Sequence, residues 1–320
     1  MNNAAHLDDS LERINRAIED LLDAVGKDVY DRNRGSFNFL GKATRSRFTL
    51  MLSDALGLDR AAAERISAAA ELTHAASLMH DDCIDRAALR RGVPSLNSSM
   101  GVNAAILLGD LVISIALDYS SRISPGAPVD LVRTIRRMTE GALLEENSRR
   151  RTLNRTEAER IMRLKTGELF RWCALTACHA AGKPELYGSC GAIGEGTGII
   201  FQIIDDVLDF EGEAGLTGKD VLMDITEGRA TLPLIMALED GRFSGPITEE
   251  LRSIGNGVKG DLSPALRIAS IVRDNGFAAA ARALAAERAA ALDEELSRLP
   301  EAEASGALRA FIRALPGRTR

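Results

Sequence analysis

Hydrophobic residues recur along the chain at intervals of three and four positions, which is the spacing of one face of an α-helix. Near the start this spacing predicts an amphipathic helix, carried by Leu11, Ile14, Ile18, Leu21 and Leu22. Alternating strand patterns between tight turns are nearly absent. The same periodicity, with a high alanine and leucine content, predicts further helices over residues 61–80, 104–119, 129–149, 155–180 and 278–299.

The breaks between these segments are short. Glycine and proline mark turns at residues 124–128 and 182–184, and Pro184 suits the first turn of the following helix. No connecting segment is long or polar enough to act as a linker between domains. We therefore predict one all-α domain over residues 1–320, a helical bundle around a central cavity.

The charge balance narrows the classes of partner. The 320 residues include 40 basic and 46 acidic side chains, with a formal net charge of −6. This argues against nucleic-acid binding, which usually needs a basic face. The most apolar stretch, residues 102–117, is interrupted by Asp110, and the first residues lack the pattern of a signal peptide. We expect no nucleic-acid partner and no integral membrane segment.

The cysteines bear on the compartment. None of the four forms a C-x-x-C pair, so neither a zinc site nor a disulfide framework is indicated. We therefore expect a reducing environment, the cytoplasm. The four are Cys83, Cys173, Cys178 and Cys190.

The sequence Asp-Asp-x-x-Asp occurs twice, at residues 81–85 and 205–209, each time after an apolar stretch. Positions i and i+4 lie on one face of a helix, so the first and last aspartates of each motif project together. Such carboxylates need a counter-charge when they face each other. Mg²⁺ supplies it, because this ion takes oxygen ligands from one or two carboxylates plus substrate phosphates. The motifs therefore predict a Mg²⁺–diphosphate site between two helices.

The simpler alternative is a pair of solvated acidic helix ends. A single copy would be explained that way as often as not, because short motifs carry a real false-positive risk. Two copies, each preceded by hydrophobic sequence and followed by basic residues, favour the metal site.

Basic residues near both motifs suit the diphosphate. Arg90 and Arg91 follow the first motif, and arginine forks match phosphate oxygens in a bidentate way. Residues 41–47 form a basic cluster at a predicted helix start, which also favours anions. His74 lies two helical turns before Asp81 and is expected on the same face, although alone it would be interpreted as a structural histidine. Three more basic residues lie before or after the second motif: Lys165, Lys219 and Arg229.

These segments resemble the trans-isoprenyl (polyprenyl) diphosphate synthase family. Residues 71–82 with 90–92 resemble the family's first region, and residues 201–209 with 218–219 and 231–233 look like its second. The resemblance extends from about residue 40 to 240. Further family motifs are matched at residues 41–45, 109–110 and 165–167.

The resemblance implies an all-α fold of the isoprenoid synthase type, usually homodimeric. It also implies a prenyltransferase that condenses isopentenyl diphosphate with an allylic diphosphate and depends on Mg²⁺. The allylic C–O bond would ionise, the double bond of isopentenyl diphosphate would attack the resulting cation, and a proton would then be lost to the released diphosphate.

The family's functional residues can be carried over one by one. The Mg²⁺ ligands would be Asp81, Asp85 and Asp205, with Asp209 in the outer shell. The allylic diphosphate would be held by Arg90, Lys165 and Lys219. Isopentenyl diphosphate would be held by Lys42, Arg45, His74 and Arg91. Beside the allylic carbon, catalysis would involve Thr166 and Gln202 together with Lys165.

Four positions depart from the family pattern. Ala43 stands where arginine is usual, and Ser46 where proline is usual. Arg229 replaces a usual lysine at a substrate-binding position, which keeps the charge but changes the geometry. Ala142 stands where glutamine is common. These differences bear on substrate affinity more than on the reaction class.

Two other classes of function remain as alternatives. A terpene cyclase shares the all-α cavity and a first aspartate motif, but it needs no second cationic set such as Lys42, Arg45 and His74. A silent partner subunit would only tune an active synthase, and such subunits typically lose an aspartate motif, whereas both motifs are intact here.

Residues below the first motif bear on product length. Four and five positions before Asp81 stand Ser77 and Ala76, with Thr73 a further turn below, and helical side chains lean toward the N-terminus. Short-chain members of the family typically place a bulky aromatic residue here. Since these residues are small, we predict a medium- or long-chain product. A bulky residue around 138–144 would instead give a twenty-carbon geranylgeranyl product.

Overall fold

The computed structural model describes residues 3–31, 37–90, 92–211, 222–256 and 261–319. In this part of the chain α-helices are almost the only regular structure, which confirms the predicted all-α class. In chain order the helices are α1 Asn3–Asp23, α2 Thr44–Leu56, α3 Arg60–Ile84, α4 Leu96–Met100, α5 Val102–Ser120, α6 Ala127–Asn147, α7 Arg155–Met162, α8 Glu168–Ala180, α9 Tyr187–Glu211, α10 Met223–Glu227, α11 Leu232–Glu239, α12 Ser244–Asn256, α13 Ser263–Asp274, α14 Phe277–Ala291, α15 Asp293–Leu296 and α16 Ala302–Ala314.

The remaining regular structure is short. A π-helical turn over Arg163–Gly167 joins α7 to α8, and 3₁₀ turns cover Pro184–Leu186 and Leu315–Gly317. Two antiparallel strands, β1 Leu89–Arg90 and β2 Val93–Pro94, form a ribbon after the first aspartate motif. The ribbon was not predicted, because two-residue strands leave no alternating pattern to recognise.

Two predicted helices are interrupted. The predicted helix over 155–180 contains the π-turn, and the predicted helix over 278–299 breaks at Leu292 into α14 and α15. The start of α7 is a capping box, in which Asn154 accepts from the amide of Glu157 and the Glu157 carboxylate accepts from the amide of Asn154.

By its contacts the chain divides into two compact units. The first contains Met1–Ile135, Trp172–Gly191 and Ser297–Leu308. In this unit α3 packs against α2 and α5. A Cβ on Gly109 of α5 would clash with the ring of His80 near the end of α3, so a larger residue there would displace this ring.

The second unit contains Arg136–Arg171, Ala192–Leu296 and Arg309–Arg320. Here α11 packs against α12 and α14. A Cβ on Gly198 of α9 would lie 2.7 Å from Cα of Gly167, so the backbones approach closely at these two glycines. The prediction that residues 1–320 form one domain stays a prediction.

Helix α5 is long and apolar enough to cross a membrane by length and composition, with a mean hydropathy of 1.6. Core helices of soluble proteins pass the same test, so one such helix is weak evidence. Its 18-residue window is 33% buried within the chain. The prediction of no integral membrane segment stays a prediction.

Candidate active site

The fold divides the first aspartate motif into accessible and buried carboxylates. Asp82 is 2% exposed and receives two hydrogen bonds from Nε of Arg90, at 2.7 and 2.8 Å, and one from Nη2 at 2.5 Å. Asp81 and Asp85 are only partly buried. The amide of Asp85 donates to the carbonyl of Asp81 at 2.8 Å, so the helical turn continues and places both carboxylates on one face.

The accessible face of α3 continues toward its N-terminus. His74 and Ser77 keep accessible surface, while Thr73 and Ala76 are buried. The stripe therefore has helical spacing, and it confirms that His74 shares the face of Asp81. Ala76 has no accessible surface at all, so Ser77 is the small residue that borders open space on this face.

The basic cluster of residues 41–47 contains three cations, of which Arg47 lies 3.5 Å from Asp8. Lys42 is exposed, just before α2 begins, whereas Arg45 in the first turn is 8% exposed. Beside it, the buried Glu71 accepts from the amide and the hydroxyl of Ser46, at 3.0 and 2.7 Å. Glu71 thus fixes the first turn of α2 to α3.

The second aspartate motif is divided in the same way. Asp206 is buried, and its Oδ1 accepts from Nε2 of Gln202 at 2.9 Å while its Oδ2 accepts from the amide of Leu232 at 3.1 Å. Burial raises the pKa of Asp206 well above its usual range, and nearby Asp224 raises it further. Asp205 and Asp209 are only partly buried.

A chain of hydrogen bonds starts from this buried carboxylate. The hydroxyl of Thr166 donates to Oε1 of Gln202 at 2.7 Å, and the amide nitrogen of Gln202 donates to Asp206. Thr166 lies in the π-turn, a distortion that often occurs at functional sites. These hydrogen bonds fix the orientation of Thr166 and Gln202, two of the three predicted catalytic side chains.

Two predicted cations lie in the same part of this unit, and both face carboxylates. Nζ of Lys165 lies 2.6 Å from Oε2 of Glu145. Arg229 lies 3.2 Å from Asp224, 3.0 Å from Glu227 and 3.7 Å from Glu145. A cavity of about 90 Å³ is bordered by Lys165, Thr166, Gln202, Asp206 and Arg229.

The residues of the second motif fit a divalent cation. Burial and Asp224 raise the pKa of Asp209 to about 7, and its Oδ2 is buried without a hydrogen-bond partner. A buried acceptor of this kind suits a bound cation, since buried polar atoms are normally satisfied. The described residues hold no preassembled group of three His, Cys, Asp or Glu side chains. Such a metal would therefore complete its shell with substrate oxygens and water.

The C-terminal segment adds an arginine to this region. Nη2 of Arg318 lies 2.5 Å from Oδ1 of Asp205, and its guanidinium lies 4.5 Å from the centroid of the Phe201 ring. Arg282 donates to the carbonyls of Pro316 and Arg318, which anchors the segment to α14.

A sequence profile described as polyprenyl synthetase matches residues 30–254. The chain belongs to this family. It is 32% identical over 280 residues to the nonaprenyl diphosphate synthase of Mycobacterium tuberculosis, covering 86% of this chain and 82% of that one. It is 33% identical over 243 residues to the geranylgeranyl pyrophosphate synthase of Geoglobus acetivorans, covering 73% and 76%.

A solved structure is also similar. The polyprenyl synthase of Caulobacter crescentus, in complex with calcium and isoprenyl diphosphate, matches with a TM-score of 0.79 and 26% identity over 97% of this chain and 98% of that one. The chain is therefore a prenyltransferase with the all-α isoprenoid synthase fold, an enzyme that makes polyprenyl diphosphates.

Two predicted substrate-binding residues, Arg91 and Lys219, fall outside the described residues. Their predicted contacts with substrate therefore stay predictions. The predicted roles of the other site residues stay predictions as well. Sequence reasoning missed Glu71, Glu145 and Arg318, because each is an ordinary charged residue until the fold brings its partner beside it.

Proposed function

We propose that the enzyme condenses isopentenyl diphosphate with an allylic diphosphate in a Mg²⁺-dependent reaction and elongates the chain to a medium or long product. The observation that carries this proposal is the division within each aspartate motif. The middle aspartates, Asp82 and Asp206, are hydrogen-bonded inside the protein, whereas the outer ones keep accessible surface. Two helices that only presented solvated acidic ends would not need such an arrangement.

The outer aspartates are the proposed metal ligands. When bound, Mg²⁺ supplies positive charge that stabilises the departing diphosphate. The calcium and isoprenyl diphosphate in the related Caulobacter structure support this assignment by analogy. The ligands are Asp81, Asp85 and Asp205, with Asp209 as an outer partner.

The second unit provides the proposed groups for the allylic diphosphate. Lys165 and Arg229 carry the charge that diphosphate oxygens need as the C–O bond breaks. Thr166 and Gln202 hold fixed polar atoms beside the reacting carbon, oriented through Asp206. Buried apolar side chains such as Met162 border the same cavity and exclude water, which would otherwise trap the cation as an alcohol.

The first unit provides the proposed groups for isopentenyl diphosphate. Lys42, Arg45 and His74 are its cationic or donor residues, and the bond from Ser46 to Glu71 sets the start of α2 where two of them lie. Arg90 is proposed for the allylic diphosphate, and its Nη1 makes no hydrogen bond within the described residues. Arg91 and Lys219 complete the proposal from outside those residues.

The deciding experiment is an assay of the purified chain. Isopentenyl diphosphate and farnesyl diphosphate are supplied with Mg²⁺ or with a chelator, and products are sized by mass spectrometry. We expect chain elongation only with Mg²⁺, and products beyond fifteen carbons. Asp81→Ala and Asp205→Ala should each abolish turnover with helix content unchanged.

The same assay separates the alternatives. A hydrocarbon formed from the allylic diphosphate alone would identify a terpene cyclase, and no turnover at all would identify a silent subunit. A product that stops at twenty carbons would identify a geranylgeranyl diphosphate synthase. The similarity to a nonaprenyl synthase and to a geranylgeranyl synthase supports the reaction class and does not favour either product length.

We also propose that the enzyme is a homodimer in which a second copy covers α5. Val102, Ile106 and Leu107 on this helix are 46%, 40% and 67% exposed. Single exposed apolar residues are normal, but several on one apolar helix indicate an interface. Light scattering on Leu107→Glu should give a monomer, with Leu266→Glu as the control for an exposed leucine on α13.

The cytoplasm remains the proposed compartment. All four cysteines are free thiols, three of them buried, which suits a reducing environment. Fractionation of the native host with thiol labelling tests this proposal.

A further inference from the structure

A separate cavity of about 450 Å³ lies in the first unit, among α1, α3 and the C-terminal end of α5. None of the residues proposed for catalysis lines it. Its volume falls within the range of about 300–1,000 Å³ that is typical of small-molecule sites. Its wall combines charged and apolar side chains: Arg13, Ile14, Glu64, Arg65, Tyr119 and Arg122.

The cavity carries an excess of positive charge. Glu64 is its one carboxylate, and Arg13 already engages it through Nε at 2.9 Å and Nη2 at 2.7 Å. Arg65 and Arg122 have no carboxylate partner among the described residues. Two guanidinium groups without a carboxylate partner among the described residues therefore border one open cavity, and a dianion would match their charge.

Arg65 provides the strongest sign of a missing partner. Its Nε is buried and donates to no atom in the part of the chain that the structure describes. A buried donor without an acceptor is destabilising by about 1–3 kcal/mol, and such groups are rare in folded proteins. An anion in the cavity would satisfy it.

Arg122 and Tyr119 also line the cavity. The Arg122 guanidinium lies 5.1 Å from the centroid of the Tyr119 ring, close enough for a cation–π contact that limits its orientation. Tyr119 is 7% exposed. Burial raises the pKa of its phenol, while the charges of Arg122 and Arg65 lower it, so both arginines act on the same oxygen.

We propose that this cavity binds the dianionic phosphate or diphosphate group of a small molecule, with Arg65 and Arg122 donating to its oxygens. Guanidinium forks match phosphate oxygens, and such charge-assisted bonds are about twice as strong as neutral ones. Ile14 and Ala17 offer an apolar wall to an organic part of the ligand. This inference stands on the cavity alone and is independent of the proposed reaction.

The test uses the tyrosines as local reporters. The chain has only three, Tyr30, Tyr119 and Tyr187, so incorporation of 3-fluorotyrosine gives three ¹⁹F signals that Tyr119→Phe assigns. Inorganic diphosphate is titrated into the full-length labelled protein with a chelator present, which removes divalent ions. We expect a saturable shift of the Tyr119 signal.

Two charge-neutralising variants and one control complete the test. Arg65→Gln and Arg122→Gln should each weaken binding about tenfold, the effect of one charge-assisted hydrogen bond. Arg133→Gln, which removes an exposed arginine of α6 paired with Asp130, should leave the affinity unchanged. Because Arg122 is exposed, its variant keeps the fold even if Arg65→Gln does not. A Tyr119 signal that never shifts, or an undiminished affinity in Arg122→Gln, would overturn the proposal.

Discussion

Nζ of Lys165 lies 2.6 Å from Oε2 of Glu145, so a cation proposed for the substrate diphosphate is already paired inside the protein. The same carboxylate lies 3.7 Å from Nε of Arg229. The substrate must therefore compete with Glu145 for two cations, and the carboxylate keeps both side chains in position before substrate binds.

Glu145→Gln keeps the shape of this side chain and removes its charge. We expect the KM for the allylic diphosphate to fall about threefold, because a partly exposed ion pair contributes at most about 1 kcal/mol. The matched control is Glu146→Gln, which removes the neighbouring charge paired with Arg149. Steady-state kinetics decide the matter, and a raised KM in Glu145→Gln would mean that orienting Lys165 outweighs the competition.

Asp81 and Asp82 are adjacent but should respond differently to alanine. Asp82→Ala leaves the charge of Arg90 without its buried partner, so the free energy of unfolding should fall by about 2 kcal/mol or more. Asp81→Ala should cost less than about 1 kcal/mol, because this residue is only partly buried, while abolishing turnover. Urea unfolding of both variants tests the distinction. Equal losses of stability would contradict it.

Arg318 should weaken Mg²⁺ binding, because its guanidinium occupies one oxygen of Asp205. In Arg318→Ala we expect the affinity for Mg²⁺, measured by calorimetry without substrate, to rise about threefold. Arg313→Ala is the control, since it removes an arginine of the same C-terminal region that pairs with Asp293 instead. A loss of affinity in Arg318→Ala would show that the segment supports the metal site.

Product length should depend on Ser77 more than on Ala76. Ser77→Phe places a ring on the accessible face of α3 and should shorten the product by at least one isoprene unit. Ala76→Phe forces a ring into a fully buried position, so its main effect should be a loss of stability of about 1–3 kcal/mol. Mass spectrometry of products and thermal unfolding test both outcomes. Shortening by Ala76→Phe alone would show that this face is wrongly assigned.

Glu168 should make the enzyme more stable as the pH falls. Burial raises the pKa of Glu168 above its usual 4.5, although Arg137 at 2.9 Å opposes the shift. The folded state therefore holds the proton more tightly than the unfolded state, and the ionised form is destabilising above the folded pKa. As the pH falls from that raised pKa to 4.5, the wild-type enzyme should gain free energy of unfolding relative to Glu168→Gln. Denaturant midpoints across this range test the sign, with exposed Glu185→Gln as the control.

The sequence predicted those features that depend on local spacing. Helical periodicity predicts α3, α5 and α6, and the four-residue spacing predicts that Asp81 and Asp85 share a face. The ion pairs between residues far apart in the sequence were not predictable. Glu145 lies 20 residues from Lys165, and packing alone brings them together.

Other features of the site could not be predicted from the spacing of residues along the chain either. Arg318 lies 113 residues from Asp205, in a basic C-terminal segment without any motif. Ala76 and Ser77 are neighbours of similar size, and only the packing of α3 determines which one borders open space. The π-turn was missed because one extra residue in a single turn leaves no distinct signal in the hydrophobic periodicity.

The π-turn at Arg163–Gly167 changes the rotation of α8 about its helix axis relative to α7. It contains one residue more than an α-helical turn would, and each residue corresponds to about 100° of rotation about the axis. Deleting Arg163 would let α7 and α8 merge into a regular helix. Lys165 and Thr166 would then turn away from Glu145 and Gln202 while Phe170 stayed in the core. The number of residues in this stretch therefore matters to the proposed site as much as the identity of Lys165 and Thr166.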